Sequence, residues 1–333
     1  MDLSGSTTYS KTWSELIRSK RNFYDLLPIF WLTPLADGLK ELEECDCDRF
    51  FRWQVPIVNG FEEIRHLCNQ SHPPNATFSL EIPIGLFETA YYEDYRVISC
   101  YEKLKNNTDI DFKLLPPPSP VGCMRYEWKD GYFFNANTLN YLFQYWKINN
   151  AAADVFDKNS LRLLEIGGGY GGFAYQVICL NKKAKYVIID LPETLILSIY
   201  FLSQNFPEMP MALHTDTDAH IDWDAYQVHF VPNVYAENVS NAEFDLAVNS
   251  TSLLEMRQED IDLYFHLIQK KNRVRYFYNY NRKERVEGDH TYKFEKMPYD
   301  EHWEHVLDQE AVKMSTWELQ NHPMMERLSY RML

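Results

Sequence analysis

The sequence predicts an α/β protein, a mostly parallel sheet with helices on both faces, preceded by an aromatic-rich helical N-terminal part. Three observations lead there. After residue 160, short β-rich runs alternate with helix-length amphipathic segments, the pattern of parallel strands joined through helices. Five of the twelve glycines fall within residues 167–172, directly after the first of those runs. Residues 1–115 lack the alternation and carry aromatics at helical spacing instead.

The elements follow in chain order. "KTWSELIRSKRNFYDLL" and "LFETAYYEDYRVISCYEKLKNN" read as amphipathic helices with an aromatic face. That face is core, or in part the lining of a ligand cleft, a lid over an acceptor or a dimer face. "LLPPPSPVG" (114–122) is a stiff extended connector, because proline fixes its own φ and biases the residue before it away from helix. It divides a helical unit, 1–115, from a second unit, 116–333. "DGYFFNANTLNYLFQYWKINN" (130–150) holds a helix capped by Asn135 or Asn137.

"LRLLEI" (161–166) is a strand, the glycines form a loop, and a helix runs from about 172 to 181. Strands at 185–190, 226–233, 244–250 and 274–281 then alternate with helices at 192–205 and 258–271. Pro192 sits in a first helical turn, where a missing N–H is harmless. "YDEHWEHVL" reads as a helix, and "AVKMSTWEL" with "MMERLSYRML" as a terminal antiparallel pair.

Composition excludes several roles. With 45% hydrophobic and 24% charged residues the chain reads as soluble and globular. A net charge of -15 argues against nucleic acid and anionic membranes as partners, since both need clustered Lys and Arg. No apolar run has the length of a transmembrane span and the first twenty residues lack a signal core. A cytoplasmic chain with reduced thiols is expected. Cys45-x-Cys47, followed by His66 and Cys68, lacks the C-x2-C spacing that zinc prefers.

The glycine loop stands where ligands bind in open α/β sheets, outside the carboxyl end of a strand. Glycine permits positive φ and close approach to the backbone. Gly167, Gly169 and Gly172 also satisfy G-x-G-x-x-G, so a dinucleotide is one possible ligand. Glu165 separates the readings. A pyrophosphate is anionic and gains nothing from a carboxylate two residues before the first glycine. S-adenosylmethionine carries a sulfonium and an ammonium, which suit one. Asp190 ends the second strand and can accept ribose hydroxyls from either nucleoside.

These residues carry a resemblance. "LLEIGGGYGG" resembles motif I of class I S-adenosylmethionine-dependent methyltransferases. Together with "VIIDLPETLILSIYFLSQNFP", "FDLAVNSTSLLEM" and "NHPMMERLSYR" it is similar to the sugar O-methyltransferases of polysaccharide and glycan biosynthesis, over roughly 115–333. The resemblance implies a seven-stranded sheet with its last pair antiparallel, and S-adenosylmethionine as cofactor. It implies Glu165, Gly167, Gly169 and Gly171 around the methionine moiety, Asp190 at the ribose, Leu191 beside the adenine, and Asn249 and Ser250 flanking the transferred methyl. "HTDTDAHIDWDAY" (214–226) departs from the family as an insertion beside the adenine contacts.

Methyl transfer to a sugar hydroxyl is an in-line displacement that needs a general base, because the hydroxyl is a poor acid. Candidates on the acceptor side are Glu255 and His290, the latter in a polar loop after the strand at 274–281 with Asp289 beside it; His302 reads as structural. In the insertion, His214, Asp216, Asp218, His220, Asp222 and Asp224 alternate. Oxygen ligands suit magnesium, but the EF-hand positions are filled wrongly, and a solvated acidic loop is the simpler reading. The competing functions are an NAD(P)-dependent oxidoreductase and a catalytically silent scaffold that binds cofactor in glycan assembly.

Overall fold

The computed structural model describes residues 97–119, 126–214, 220–287, 290–311 and 323–332. The first aromatic helix expected from the sequence, Cys45, Cys47, Cys68, Asp216, Asp218 and Asp289 lie outside the described residues.

Among the described residues a helix over 97–107 (α1) comes first. A hairpin follows, Glu127–Lys129 (β1) and Tyr132–Phe134 (β2), with Lys129 opposite Tyr132. Its two-residue turn, Asp130-Gly131, has φ 54° and 90°. That left-handed pair is what Asp-Gly supplies in tight hairpins. Ala136–Ala151 (α2) opens on Asn135, whose side chain accepts from Thr138 N while Thr138 Oγ1 accepts from Asn135 N. The reciprocal pair settles the cap on Asn135 rather than Asn137.

The alternating half then runs Arg162–Ile166 (β3), Gly172–Leu180 (α3), Lys185–Asp190 (β4), Pro192–Asn205 (α4), Met211–Leu213 (β5), Val228–Pro232 (β6), Glu243–Ser250 (β7), Gln258–His266 (α5) and Arg273–Arg282 (β8). A second hairpin, Glu284–Glu287 (β9) and His290–Lys293 (β10), precedes Trp303–Glu310 (β11) and Met324–Arg331 (β12).

Eight strands form the main sheet in the order β11-β12-β8-β7-β3-β4-β6-β5. The pairings among β5, β6, β4, β3, β7 and β8 are parallel, and β12 is antiparallel to both β8 and β11. This is the Rossmann-like sheet of class I methyltransferases, with β5 added at one edge.

Both faces are buried, which explains why the parallel strands read as near-continuous apolar runs. Leu163, Tyr186, Ile188, Leu246 and Tyr278 share a core with residues of α2, α3 and α4. Leu164, Ile166, Val187, Ala247 and Phe277 share another with α5. A third core joins Tyr101 and Leu104 of α1 to Phe134 and to Leu139, Leu142 and Phe143 of α2. The proline connector lies across the helices: Gln176 Nε2 donates to Leu114 O at 2.5 Å and Tyr175 Oη to Pro117 O at 3.0 Å.

Three expectations are corrected. Residues 301–310 are a turn and strand β11, not a helix. "WEHVLDQE" contains good helix formers, but β12 offers a ladder from Trp303–Arg331 to Glu310–Met325, and tertiary pairing overrides propensity. For the same reason the antiparallel partners of β12 are β11 and β8; of "AVKMSTWEL" only Ala311 is among the described residues. The region after β8, expected as a polar loop, is the β9–β10 hairpin.

Candidate active site

The carboxyl ends of β3, β4, β7 and β8 meet at one edge of the sheet, and the glycine loop lies across it. Gly167, Gly169 and Gly171 have φ 74°, 57° and 86°, the left-handed region closed to most side chains. Two are also tightly packed. A Cβ on Gly167 would collide with the Ser252 hydroxyl, and one on Gly171 would come within 3.2 Å of Leu202. The loop is held by Gly167 N–H donating to Ile189 O and Gly171 N–H to Gly168 O, at 2.8 and 2.9 Å.

Two carboxylates face this loop. Asp190 accepts from Gly169 N at 2.8 Å through Oδ2 and from Leu191 N at 2.7 Å through Oδ1. It therefore sets the loop and the start of α4 together. Leu191 is the residue before Pro192 at that helix start. Glu165 is 3% exposed and accepts from Tyr186 Oη at 2.8 Å. Burial pushes its pKa up to about 8; the Tyr186 hydrogen bond opposes the rise and the Asp190 charge adds to it. From Ile166 through Asn181 there is no Lys or Arg.

Asn249 is fully buried below the loop. Its Nδ2 donates to Ile166 O at 2.7 Å and Ser252 Oγ at 2.5 Å, and its Oδ1 accepts from Asn281 Nδ2 at 2.7 Å and Leu253 N at 3.2 Å. The side chain is spent on joining β3, β7 and β8. Ser250 Oγ accepts from Gln144 Nε2 of α2 at 3.0 Å. Thr251 has φ 66° and donates its N–H to Tyr280 O at 2.7 Å. A β-branched residue there is a genuine outlier, and such strain gathers at functional edges.

Past β7, Glu255 ends a short 3₁₀ turn and pairs with Arg282 Nη2 at 3.1 Å. Burial pushes its pKa up to about 7 against the opposing charges of Arg282 and Arg285. His290 is exposed at the head of β10, opposite Glu287. His302 is exposed in the turn before β11, 3.7 Å from Glu301. Glu255 thus follows directly on the end of β7, and His290 and His302 are exposed.

The insertion's described part is structural. His214 Nε2 and His229 Nδ1 are 3.0 Å apart in the interior, and Trp223 packs edge-on to His229 and Phe244. Asp222 accepts from Asp224 N and Ala225 N, each at 3.0 Å. Among the described residues no group of three or more His, Cys, Asp or Glu is placed to hold a metal ion. Nor does any helix among them have the length and apolarity to cross a membrane.

Sequence reasoning missed Tyr186, Thr251, Ser252 and Arg285. Tyr186 reads as one more apolar strand residue, and only the parallel register of β3 and β4 brings it to Glu165. Nothing in "NSTSLL" signals a left-handed threonine.

The fold is that of the class I methyltransferases. No family model matches the chain, and no curated protein matches it. Among solved structures, it is similar to the Thermoplasma acidophilum 1320 protein at 10% identity, covering 58% of this chain and 89% of that one with a TM-score of 0.39. It is similar to the methyltransferase domain of a bacterial CtHen1 at 12% identity, covering 57% and 100%, with a TM-score of 0.36. CrArsM, an arsenic(III) S-adenosylmethionine methyltransferase from Chlamydomonas reinhardtii, is 12% identical over 52% and 64%, with a TM-score of 0.33.

Proposed function

We propose that the protein is an S-adenosylmethionine-dependent O-methyltransferase acting on a hydroxyl of a sugar or glycan precursor. The observation that carries this reading is the charge at the glycine loop. Two carboxylates, one buried, face a loop with no basic side chain. That donor set fits a cationic ligand bearing ribose hydroxyls. A pyrophosphate at the loop would gain nothing from the buried Glu165 carboxyl and would meet no basic side chain from Ile166 through Asn181.

When bound, the cofactor supplies an electrophilic methyl group. Glu165 would hold its ammonium end, with Tyr186 keeping the carboxyl in place. Asp190 keeps the loop in its left-handed path and would accept from the ribose. Asn249, Ser252 and Gly167 fix the spacing between loop and acceptor edge. Glu255 takes the acceptor proton: a carboxyl with a pKa near 7 is half ionised at neutral pH and a competent base there. Alignment of acceptor oxygen and methyl contributes most of the rate, up to about 7–11 kcal/mol in well-oriented systems. The net charge of -15 favours a small-molecule acceptor over nucleic acid.

The test is methyl transfer from labelled S-adenosylmethionine to a panel of monosaccharides, sugar phosphates and nucleotide sugars. Incorporation that is lost in Glu255→Gln, with cofactor binding kept, supports the reading. Cofactor binding without turnover on any acceptor would favour the silent scaffold.

A further inference from the structure

Two arginines stand beside Glu255 in a chain of strongly negative net charge. Arg282 closes β8 and pairs with Glu255. Arg285, on β9, donates from Nη2 to Met256 O at 2.9 Å and pairs with Glu287 Oε2 at 2.9 Å. Its guanidinium lies over the Tyr292 ring, 4.3 Å from the centroid. The Arg285 side chain is only 10% exposed, and its Nε is buried with no hydrogen-bond partner.

That unmet donor calls for an explanation, because a buried N–H without an acceptor is destabilising. A planar guanidinium fork, stacked on an aromatic ring and short of one acceptor, suits a carboxylate or phosphate oxygen. Glu287 is 45% exposed. Its pairing with Arg285 at the rim is weak and exchangeable. Two guanidinium groups here face the partly buried Glu255 carboxyl, which is only half ionised near neutral pH, and the exposed Glu287 at the rim.

Position adds to chemistry. Glu255 N–H donates to Ser252 O at 2.9 Å, and the Ser252 hydroxyl fills the space a Gly167 side chain would need. The arginines therefore lie on the same edge as the glycine loop, on its β8 side.

We propose that Arg282 and Arg285 form an anion subsite, so that the acceptor carries a carboxylate or phosphate group seated against the Arg285 guanidinium. This rests on the methyltransferase reading and narrows its substrate class. A uronate and a phosphorylated sugar share the chemistry, and the experiment separates them.

The test is calorimetric titration of the full chain with pyrophosphate and, separately, with glucuronate, each with and without saturating S-adenosylhomocysteine. Arg285→Gln and Arg285→Lys are run beside it, with thermal melts. The expected result is saturable binding of at least one anion, weakened tenfold or more by Arg285→Gln, with S-adenosylhomocysteine affinity unchanged within about twofold. Arg285→Lys, which keeps the charge and loses the fork, should fall between, and it stands in if the Gln variant does not fold. Pyrophosphate alone assigns a phosphate, and glucuronate alone a uronate. Binding of neither anion, or binding indifferent to Arg285→Gln, overturns the subsite. Failure of S-adenosylhomocysteine to bind would instead overturn the methyltransferase reading, and the titrations without it would still decide the subsite.

Discussion

At the residue scale, Glu165 concentrates the chemistry of the site. A cationic ligand binds its ionised form, while burial favours the neutral one. Ligand binding should therefore release close to one proton per site at pH 7, and S-adenosylhomocysteine affinity should climb as the pH rises towards about 8. Calorimetry in buffers of different ionisation enthalpy measures that proton. In Glu165→Gln the linkage should vanish and affinity fall by about 1.5–3 kcal/mol, the value of a hydrogen bond to a charged group. Stability has the opposite sign. Because the folded pKa lies above the unfolded one, the contribution is full below about pH 4.5 and is lost as the pH rises through about 8. The free protein's melting temperature should fall across that window, and less in Glu165→Gln.

Gly167 makes a second residue-scale prediction. Gly167→Ala adds about 1–2 kcal/mol of left-handed backbone strain, and overpacking against Ser252 of about 1–3 kcal/mol. A lowered denaturant midpoint with unchanged slope is expected. The double variant with Ser252→Gly should recover the packing share alone, leaving the backbone share.

At the scale of elements, α2 connects the third core to the site through Gln144 and Ser250. Asn135→Ala removes its capping box and should destabilise the protein by about 1 kcal/mol, measured by chemical denaturation. Asn135→Ser should restore most of it.

How much of this was legible beforehand depends on whether the signal was local. The glycine loop, the strand exits at Glu165 and Asp190, the Asn-capped α2 and the Pro-started α4 were legible because each follows from a few neighbouring residues. Strand β11 was not, because "WEHVLDQE" is a strand only by virtue of β12. The β1–β2 turn could have been read from Asp130-Gly131 and was overlooked. The buried amide of Asn249 braces three strands, a role set by register and not by its neighbours in sequence. Tyr186 and Arg285 reach their places through strand pairing, and no spacing rule exposes them.

At the scale of the whole molecule, the sheet sorts the chemistry by edge. Anionic groups converge on the loop after β3 and cationic ones beyond β8, so a cationic cofactor and an anionic acceptor would each meet the opposite charge. The net charge of -15 adds a field that favours the first and opposes the second. The association rate of S-adenosylmethionine, whose sulfonium gives it a net positive charge, should accordingly drop as salt rises from low to physiological strength, observed by stopped-flow fluorescence.

One measurement bears most directly on the central claim, that the buried carboxylate before the glycine loop marks a site for a cationic nucleoside. It is competitive calorimetry on the full chain with S-adenosylhomocysteine, NAD and NADP, in the native protein and in Glu165→Gln. Saturable binding of S-adenosylhomocysteine alone, weakened by the substitution and released from its pH dependence, is the predicted result. Tight binding of NAD or NADP, or S-adenosylhomocysteine binding indifferent to Glu165, would contradict it.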